Sequence, residues 1–187
     1  MYLKNVTAED EARMIDEFTL PAARDLATAE VDVVVFGCTS ASALRGNKYE
    51  EKLIKEVSKT AKAPCLSVTK AVRGALHGLN VRKAVVVTPY VDELNLKIAA
   101  SLESDGIEVL RINGLGIVEN TRIARVDGND IIKLAKDAVK GLQPDALFVS
   151  CTNFPAMNVL PRLRRAFDFP VITSNQAILD AAIAALS

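Results

Sequence analysis

The chain has 187 residues, half of them hydrophobic, and its 23 basic residues balance its 23 acidic ones. A net charge of zero argues against the basic surface that nucleic acids or anionic membranes require. No apolar run approaches the roughly 18 residues that span a bilayer, and three widely spaced cysteines make no disulfide framework. We therefore expect a cytoplasmic protein with free thiols.

The predicted elements alternate between helix and strand along the chain. A helix opens at Thr7 and runs to about residue 29, with a kink or break at Pro21. Further strands are predicted over 32–37, 64–68, 83–88, 107–112, 145–150 and 170–173. The helices between and after them are predicted over 49–61, 70–77, 92–104, 130–141, 158–167 and from 174 onwards.

Strands separated by single helices predict βαβ units and parallel sheets with right-handed crossovers. We predict an α/β fold of two doubly wound, Rossmann-like halves related by pseudo-two-fold symmetry. Residues 1–80 form the first half, 81–173 form the second, and the C-terminal helix over 174–187 can return to the first. The second half has a strand, a helix and a strand before its cysteine motif, whereas the first has only a helix. The repeat therefore predicts an N-terminally shortened chain that lacks an initial β-α-β, and a homo-oligomer.

One motif occurs in both halves. Asp32–Ser40 and Asp145–Asn153 each consist of an acidic residue, an apolar run and a Cys-Thr pair followed by a small polar residue. This pattern predicts a buried parallel strand that ends in helix-capping residues. Ligands bind at the carboxyl ends of such strands, so we expect Cys38 and Cys151 to face one cleft.

Two thiols on opposite sides of one carbon form an acid and base pair that needs no metal and no organic cofactor. A helix N-terminus lowers the pKa of a thiol, which predicts accessible thiolate near neutral pH. Hydroxyl and amide donors beside the thiols could hold a carboxylate or an enolate: Thr39, Ser40, Thr152 and Asn153.

Three other residues leave alternatives open, and a fourth, Cys65, is given one interpretation. Tyr90 ends a strand at the same edge, where its phenol could contact a carboxylate or could belong to an ordinary turn. Ser174 and Asn175 follow the last strand and suit either helix capping or ligand contact. Cys65 lies in an apolar run, and we interpret it as a small buried hydrophobic residue.

Five motifs in this order resemble maleate cis-trans isomerases and arylmalonate decarboxylases of the aspartate/glutamate racemase superfamily: Val35–Ser40, Thr88–Tyr90, Gly114–Val126, Ser150–Asn153 and Thr173–Gln176. The resemblance implies that Cys38 attacks an alkene carbon of maleate. It further implies that Cys151 handles the proton while the carbon-carbon bond rotates, and that the polar residues named above hold the carboxylates. The decarboxylases typically keep only the second cysteine, so the presence of Cys38 favours isomerase or racemase chemistry.

The leading hypothesis is a cofactor-independent isomerase of a small dicarboxylate, of the maleate-to-fumarate type. One alternative is an amino-acid or hydantoin racemase, or an arylmalonate-type decarboxylase, on the same scaffold. Another is a catalytically incomplete or ligand-binding relative, because the first strand is missing from the repeat. A small carboxylic or dicarboxylic acid is the expected partner, with no nucleic acid and no membrane.

Overall fold

The computed structural model covers residues 1–187 and forms an α/β fold with six strands and ten α-helices. The strands are β1 (Val34–Phe36), β2 (Cys65–Ser67), β3 (Lys83–Thr88), β4 (Glu108–Gly114), β5 (Ala146–Val149) and β6 (Val171–Thr173). The helices are α1 (Ala8–Arg13), α2 (Thr19–Leu26), α3 (Thr39–Ala43), α4 (Asn47–Ala61), α5 (Val68–Gly78), α6 (Asp92–Glu103), α7 (Asn120–Ile123), α8 (Gly128–Val139), α9 (Leu160–Ala166) and α10 (Ser174–Ala185).

The strands form two parallel sheets, as the alternating pattern predicts. β1 pairs with β2, and the second sheet has the order β4-β3-β5-β6. Val35 lies opposite Leu66 in the first sheet, and Phe148 lies opposite Ile172 in the second. The two cysteine motifs therefore follow corresponding strands, β1 and β5, while β3 and β4 have no counterparts in the first sheet.

One hydrophobic core joins the two sheets. Val85–Val87 of β3 and Leu147–Val149 of β5 are almost fully buried, which explains why both strands are continuous apolar runs. Burial of each such side chain contributes about 1.5 to 3 kcal/mol. α8 covers β3 with a face that repeats at helical spacing, and Asp127 caps it by accepting a hydrogen bond from the Asn129 N–H at 2.7 Å. No helix of the chain is both long and apolar enough to cross a membrane.

The first helical region breaks before Pro21 and not at it. A π-helical turn, Met14–Phe18, joins α1 to α2. Pro21 has no N–H to donate to the carbonyl four residues earlier, and its ring crowds that carbonyl, so a wider turn upstream relieves the contact. The Thr19 hydroxyl donates an additional hydrogen bond to the Met14 carbonyl at 3.2 Å and supports the wider turn.

A buried ion pair holds α4, α5 and α6 together. Glu50 Oε2 lies 2.8 Å from Arg73 Nη2, and both side chains are buried. Ser67 and Thr69 donate to the other oxygen of Glu50, and Arg73 also donates to the Ser101 hydroxyl at 3.0 Å. Because both carboxylate oxygens of Glu50 accept hydrogen bonds and Arg73 donates to both Glu50 and Ser101, the pair is tolerated in the core, and it links α4 and α5 to α6.

α10 returns to the first half of the chain, where it packs on α5 and β2. Thr173 is the N-cap of α10, and its hydroxyl accepts a hydrogen bond from the Gln176 N–H at 3.1 Å. The return places the first turn of α10 between the ends of β1 and β5. Ser174 is thereby brought next to both cysteine motifs.

Gly114 is required by a close approach at the end of β4. A Cβ there would overlap the Tyr90 carbonyl oxygen and would lie 2.5 Å from Nδ2 of Asn95. We predict that Gly114→Ala lowers the free energy of unfolding by about 1 to 3 kcal/mol, because backbone and a buried amide must move. Gly74→Ala is the matched control, since no atom lies within 4 Å of the added carbon in α5. That variant should be neutral or up to about 1 kcal/mol more stable in urea denaturation, and equal losses in the two variants would contradict the steric argument.

Candidate active site

The two thiols reach one cavity from the ends of two corresponding strands. Cys38 follows β1 and is the N-cap of α3, with extended backbone. Cys151 follows β5 with φ of 93°, a left-handed conformation that is uncommon for a residue with a side chain. Both line a cavity of about 280 Å³. Such strained residues cluster at functional sites, where surrounding contacts hold them in place.

The environments of the two cysteines differ more than their shared motif suggests. The sequence predicts that each thiol faces a helix N-terminus, and Cys38 does cap the short helix α3. For Cys151 this prediction is wrong, because a turn and a 3-10 segment, Ala156–Asn158, separate it from α9. The backbone N–H groups of Asn153 and Phe154 in that turn nevertheless act on the Cys151 thiol and oppose the rise in its pKa.

Seven of the residues that the sequence singles out for catalysis or substrate binding line this one cavity: Cys38, Thr39, Ser40, Tyr90, Cys151, Thr152 and Asn153. No lysine or arginine lines it. A bound carboxylate would therefore be held by neutral hydroxyl, amide and backbone donors, as in oxyanion-binding sites. A larger groove of about 770 Å³ lies elsewhere, along α7 and α8, and contains neither thiol.

Ser174 and Asn175, for which the sequence leaves helix capping and ligand contact open, lie behind the cavity and not in its lining. The Ser174 hydroxyl accepts the Cys151 N–H at 3.0 Å, and Asn175 donates to the Thr152 carbonyl at 3.1 Å. Neither residue is the helix cap, since Thr173 has that role. Both therefore support the strained turn that carries Cys151.

The threonine after each cysteine reaches across to the opposite half. Thr39 donates to the Ser174 hydroxyl at 3.0 Å, and Thr152 donates to the Gly37 carbonyl at 2.6 Å. The Thr152 bond links the end of β5 directly to the end of β1. The Thr39 bond links the end of β1 to Ser174, which follows β6 and also accepts the Cys151 N–H. Each threonine can donate its hydroxyl proton to a substrate only by giving up its cross-link.

Both thiols are harder to ionise than the sequence predicts. Burial raises the pKa of Cys38, the negative charge of Glu11 raises it further, and a backbone hydrogen bond from Ala41 only partly opposes them. Burial likewise raises the pKa of Cys151, against hydrogen bonds from Tyr90 and the backbone. The predicted lowering of the thiol pKa is thus wrong, because desolvation outweighs the helix end. Any thiolate formed here needs a nearby group that takes the proton.

Tyr90 lies beside the second thiol. Its side chain is buried, burial raises the pKa of its phenol, and the phenol lies near enough to Cys151 to oppose the rise in the pKa of that thiol. The loop that carries it is held by a hydrogen bond from its N–H to the Thr88 hydroxyl at 3.0 Å. A neutral phenol is a donor that can serve either the sulfur or a substrate oxygen.

Glu11, on α1, is a functional candidate that the sequence analysis missed. Its side chain is completely buried and lies against the first cysteine motif. Ser40 donates a short hydrogen bond to Oε1, and the Cys38 sulfur lies 3.9 Å from the same oxygen. Oε2 is buried and has no hydrogen-bond partner. Burial raises the pKa of Glu11 to about 7, while the hydrogen bonds from Ser40 and Cys38 oppose the rise.

The N-terminal segment and Asn120 complete the cavity wall. Met1, Leu3, Val6 and Met14 line it with apolar side chains. The Asn120 amide donates to the Leu3 carbonyl at 3.0 Å and accepts from Asn153 at 2.8 Å. Asn120 is the first residue of α7, a four-residue helix. The sequence predicts only a loop here, since the helix has a single buried residue, Ile123, and so shows no periodic apolar pattern.

Comparison with known proteins places this geometry in a family. The family model for arylmalonate decarboxylase matches residues 1–187. Arylmalonate decarboxylase from Bordetella bronchiseptica is 28% identical over 176 residues, which cover 94% of this chain and 73% of that protein. Maleate isomerase from Nocardia farcinica is 25% identical over 159 residues, covering 82% of this chain and 63% of that one.

A solved structure of a maleate isomerase agrees with these relatives. The enzyme from Pseudomonas putida S16, in a variant with one cysteine replaced by alanine and with maleate bound, matches with a TM-score of 0.90 and 26% identity. The match covers 100% of this chain and 76% of that one. Across the three comparisons, this chain therefore spans between 63% and 76% of the relative's length.

Proposed function

This chain belongs to the arylmalonate decarboxylase family, and from that membership we propose that it is a cofactor-independent isomerase that converts a small cis-dicarboxylate of the maleate type to its trans isomer. The observation that carries the proposal is that Cys38 and Cys151 line one small cavity. The thiols lie close enough for charge on Cys151 to raise the pKa of Cys38. The maleate-bound relative supports the choice of substrate class.

In the proposed reaction Cys38 is the nucleophile. Its S–H bond breaks, the proton passes to a basic group beside the sulfur that returns it when the sulfur leaves, and the sulfur electron pair forms a bond to one alkene carbon of the substrate. The alkene electrons move toward the neighbouring carboxylate-bearing carbon as an enolate, which the hydroxyl and backbone donors of the cavity stabilise. Rotation about the resulting single bond and expulsion of the sulfur give the trans isomer.

Cys151 is proposed to control the proton at the carbon that carries the enolate. It lies on the second strand end, and its N–H is fixed by Ser174 at 3.0 Å. Tyr90, whose phenol acts on the pKa of this sulfur, supplies a neutral donor beside it. Ser40, Thr39, Thr152 and Asn153 are proposed to contact the carboxylates, with the two threonines mainly fixing the geometry through their cross-links.

The test is to incubate the protein with maleate in deuterated water and to follow the alkene protons by NMR. We expect the maleate signal to be replaced by the fumarate signal, without release of carbon dioxide. The same spectra with amino acids, hydantoins and arylmalonates separate the alternatives. Exchange of an α-hydrogen for deuterium would indicate a racemase, loss of carbon dioxide would indicate a decarboxylase, and either result without fumarate would contradict the proposal.

A further inference from the structure

We propose that Glu11 is the group that accepts the proton of Cys38 when the thiol becomes a nucleophile. This proposal rests on the proposed function for its catalytic consequence, although the proton sharing itself concerns only the two side chains. Glu11 Oε1 already accepts the hydrogen bond of Ser40 and lies 3.9 Å from the Cys38 sulfur. Its position on α1 keeps it out of the cavity lining, so it acts on the sulfur and not on the substrate.

The surroundings of Glu11 favour this role. The side chain is completely buried and pairs with no cation, and Oε2 has no hydrogen-bond partner. Three titratable side chains lie near enough to interact with the charge of Glu11: Cys38, Cys151 and Tyr90. Each of them is neutral until it loses a proton. An ionised Glu11 is therefore the one negative group of the cluster, and its burial without a cation makes it a stronger proton acceptor than an exposed carboxylate.

The proton transfer keeps the charge of the site constant. The Cys38 S–H proton moves to Glu11 Oε1 while the sulfur electron pair forms the bond to the alkene carbon. Glu11 becomes neutral as the negative charge passes through sulfur to the substrate enolate. When the S–C bond breaks after rotation, Glu11 returns the proton to sulfur, so no net proton enters or leaves a buried site where uncompensated charge is costly.

Alkylation of Cys38 by iodoacetamide tests the shared proton without using turnover. Glu11 carries a pKa of about 7, so thiolate should increase about tenfold per pH unit below that value. Above it one proton remains shared between the two groups, and labelling of wild type should level off between about pH 7.5 and 8.5. In Glu11→Gln no carboxylate holds that proton, so labelling should continue to rise about tenfold per unit.

The two proteins should be labelled equally at pH 6, where Glu11 is neutral, which also shows that the variant is folded. By pH 8.5 the variant should be labelled on the order of tenfold faster, as peptide mass spectrometry can measure. Glu9→Gln, an exposed position on the same helix, is the matched control and should follow wild type. Wild-type labelling without a plateau, or parallel curves for wild type and Glu11→Gln, would overturn the proposal.

Turnover provides an independent readout. With maleate bound, the neutral thiol of Glu11→Gln has no internal acceptor for its proton, so kcat at pH 7.5 should fall on the order of 100-fold. KM should change less than about threefold, since Glu11 does not line the cavity. An unchanged kcat would remove Glu11 from the reaction. If wild type itself does not isomerise maleate, the proposed function fails, while the labelling profile still decides whether Glu11 shares the Cys38 proton.

Discussion

Cys38→Ala should reduce maleate isomerisation by at least about 1,000-fold, because the variant has no atom that can form the bond to the alkene. Neighbouring groups cannot replace the sulfur, since the Ser40 hydroxyl is committed to Glu11. The measurement is the initial rate of fumarate formation by NMR or ultraviolet absorbance. Cys65→Ala is the matched control. Cys65 is only partly buried on β2, lies outside the cavity, and should tolerate the change with less than a twofold effect.

Cys151→Ala should lose turnover to a similar extent but by a different step. Cys38 can still add to maleate. When water protonates the neighbouring carbon, the variant has no second thiolate to remove that proton, so the saturated adduct can accumulate. Mass spectrometry of the intact variant should then show a fraction heavier by one maleate, carried on the peptide that contains Cys38. Full activity in either cysteine variant would remove that cysteine from the mechanism.

The repeated motif was sufficient to predict most of the cavity from the sequence. A charged start, an apolar run and a Cys-Thr end determine where a buried parallel strand stops, and the carboxyl ends of such strands meet at one edge. Strand ends therefore place Cys38 and Cys151 together without knowledge of any loop. The alternation of elements similarly predicted both parallel sheets. The division into residues 1–80 and 81–173 stays a prediction.

Features that depend on tertiary packing were not predictable in the same way. The helix N-terminus was expected to lower the pKa of the thiols, whereas burial raises the pKa of Cys38. That burial depends on segments distant in sequence. The sequence analysis did not identify Glu11, because Ala8–Arg13 contains three acidic residues, a pattern that is typical of a solvent-exposed helix. One signal was available: Met14 and Ile15, three and four residues later, are apolar and buried, so Glu11 lies on the apolar face of its helix.

Stability should fall as the pH rises from about 4.5 to 7, because Glu11 binds its proton more tightly in the folded chain. The pKa of Glu11 is raised from 4.5 to about 7 in the folded protein. Between these values the folded state holds a proton that the unfolded state has released, so unfolding is favoured as protons become scarce. A difference of about 2.5 pKa units corresponds to roughly 3 kcal/mol over the whole window, with no further change from this group above pH 7.

Urea denaturation at pH 5 and pH 8 measures this effect, and Glu11→Gln supplies the control because glutamine does not titrate. The wild-type protein should be less stable at pH 8 by roughly 2 to 3 kcal/mol, whereas the variant should show almost no difference.

Other groups with shifted pKa values affect stability outside the interval from pH 5 to pH 8. Asp16 and Asp145 have lowered pKa values, so their contribution is lost only as the pH falls below their ordinary range. The cysteines and Tyr90 have raised pKa values, so their contribution is lost only at alkaline pH. Equal stability of wild type at both pH values would show that Glu11 has an ordinary pKa, and the carboxyl group beside Cys38 would then remain ionised throughout the neutral range.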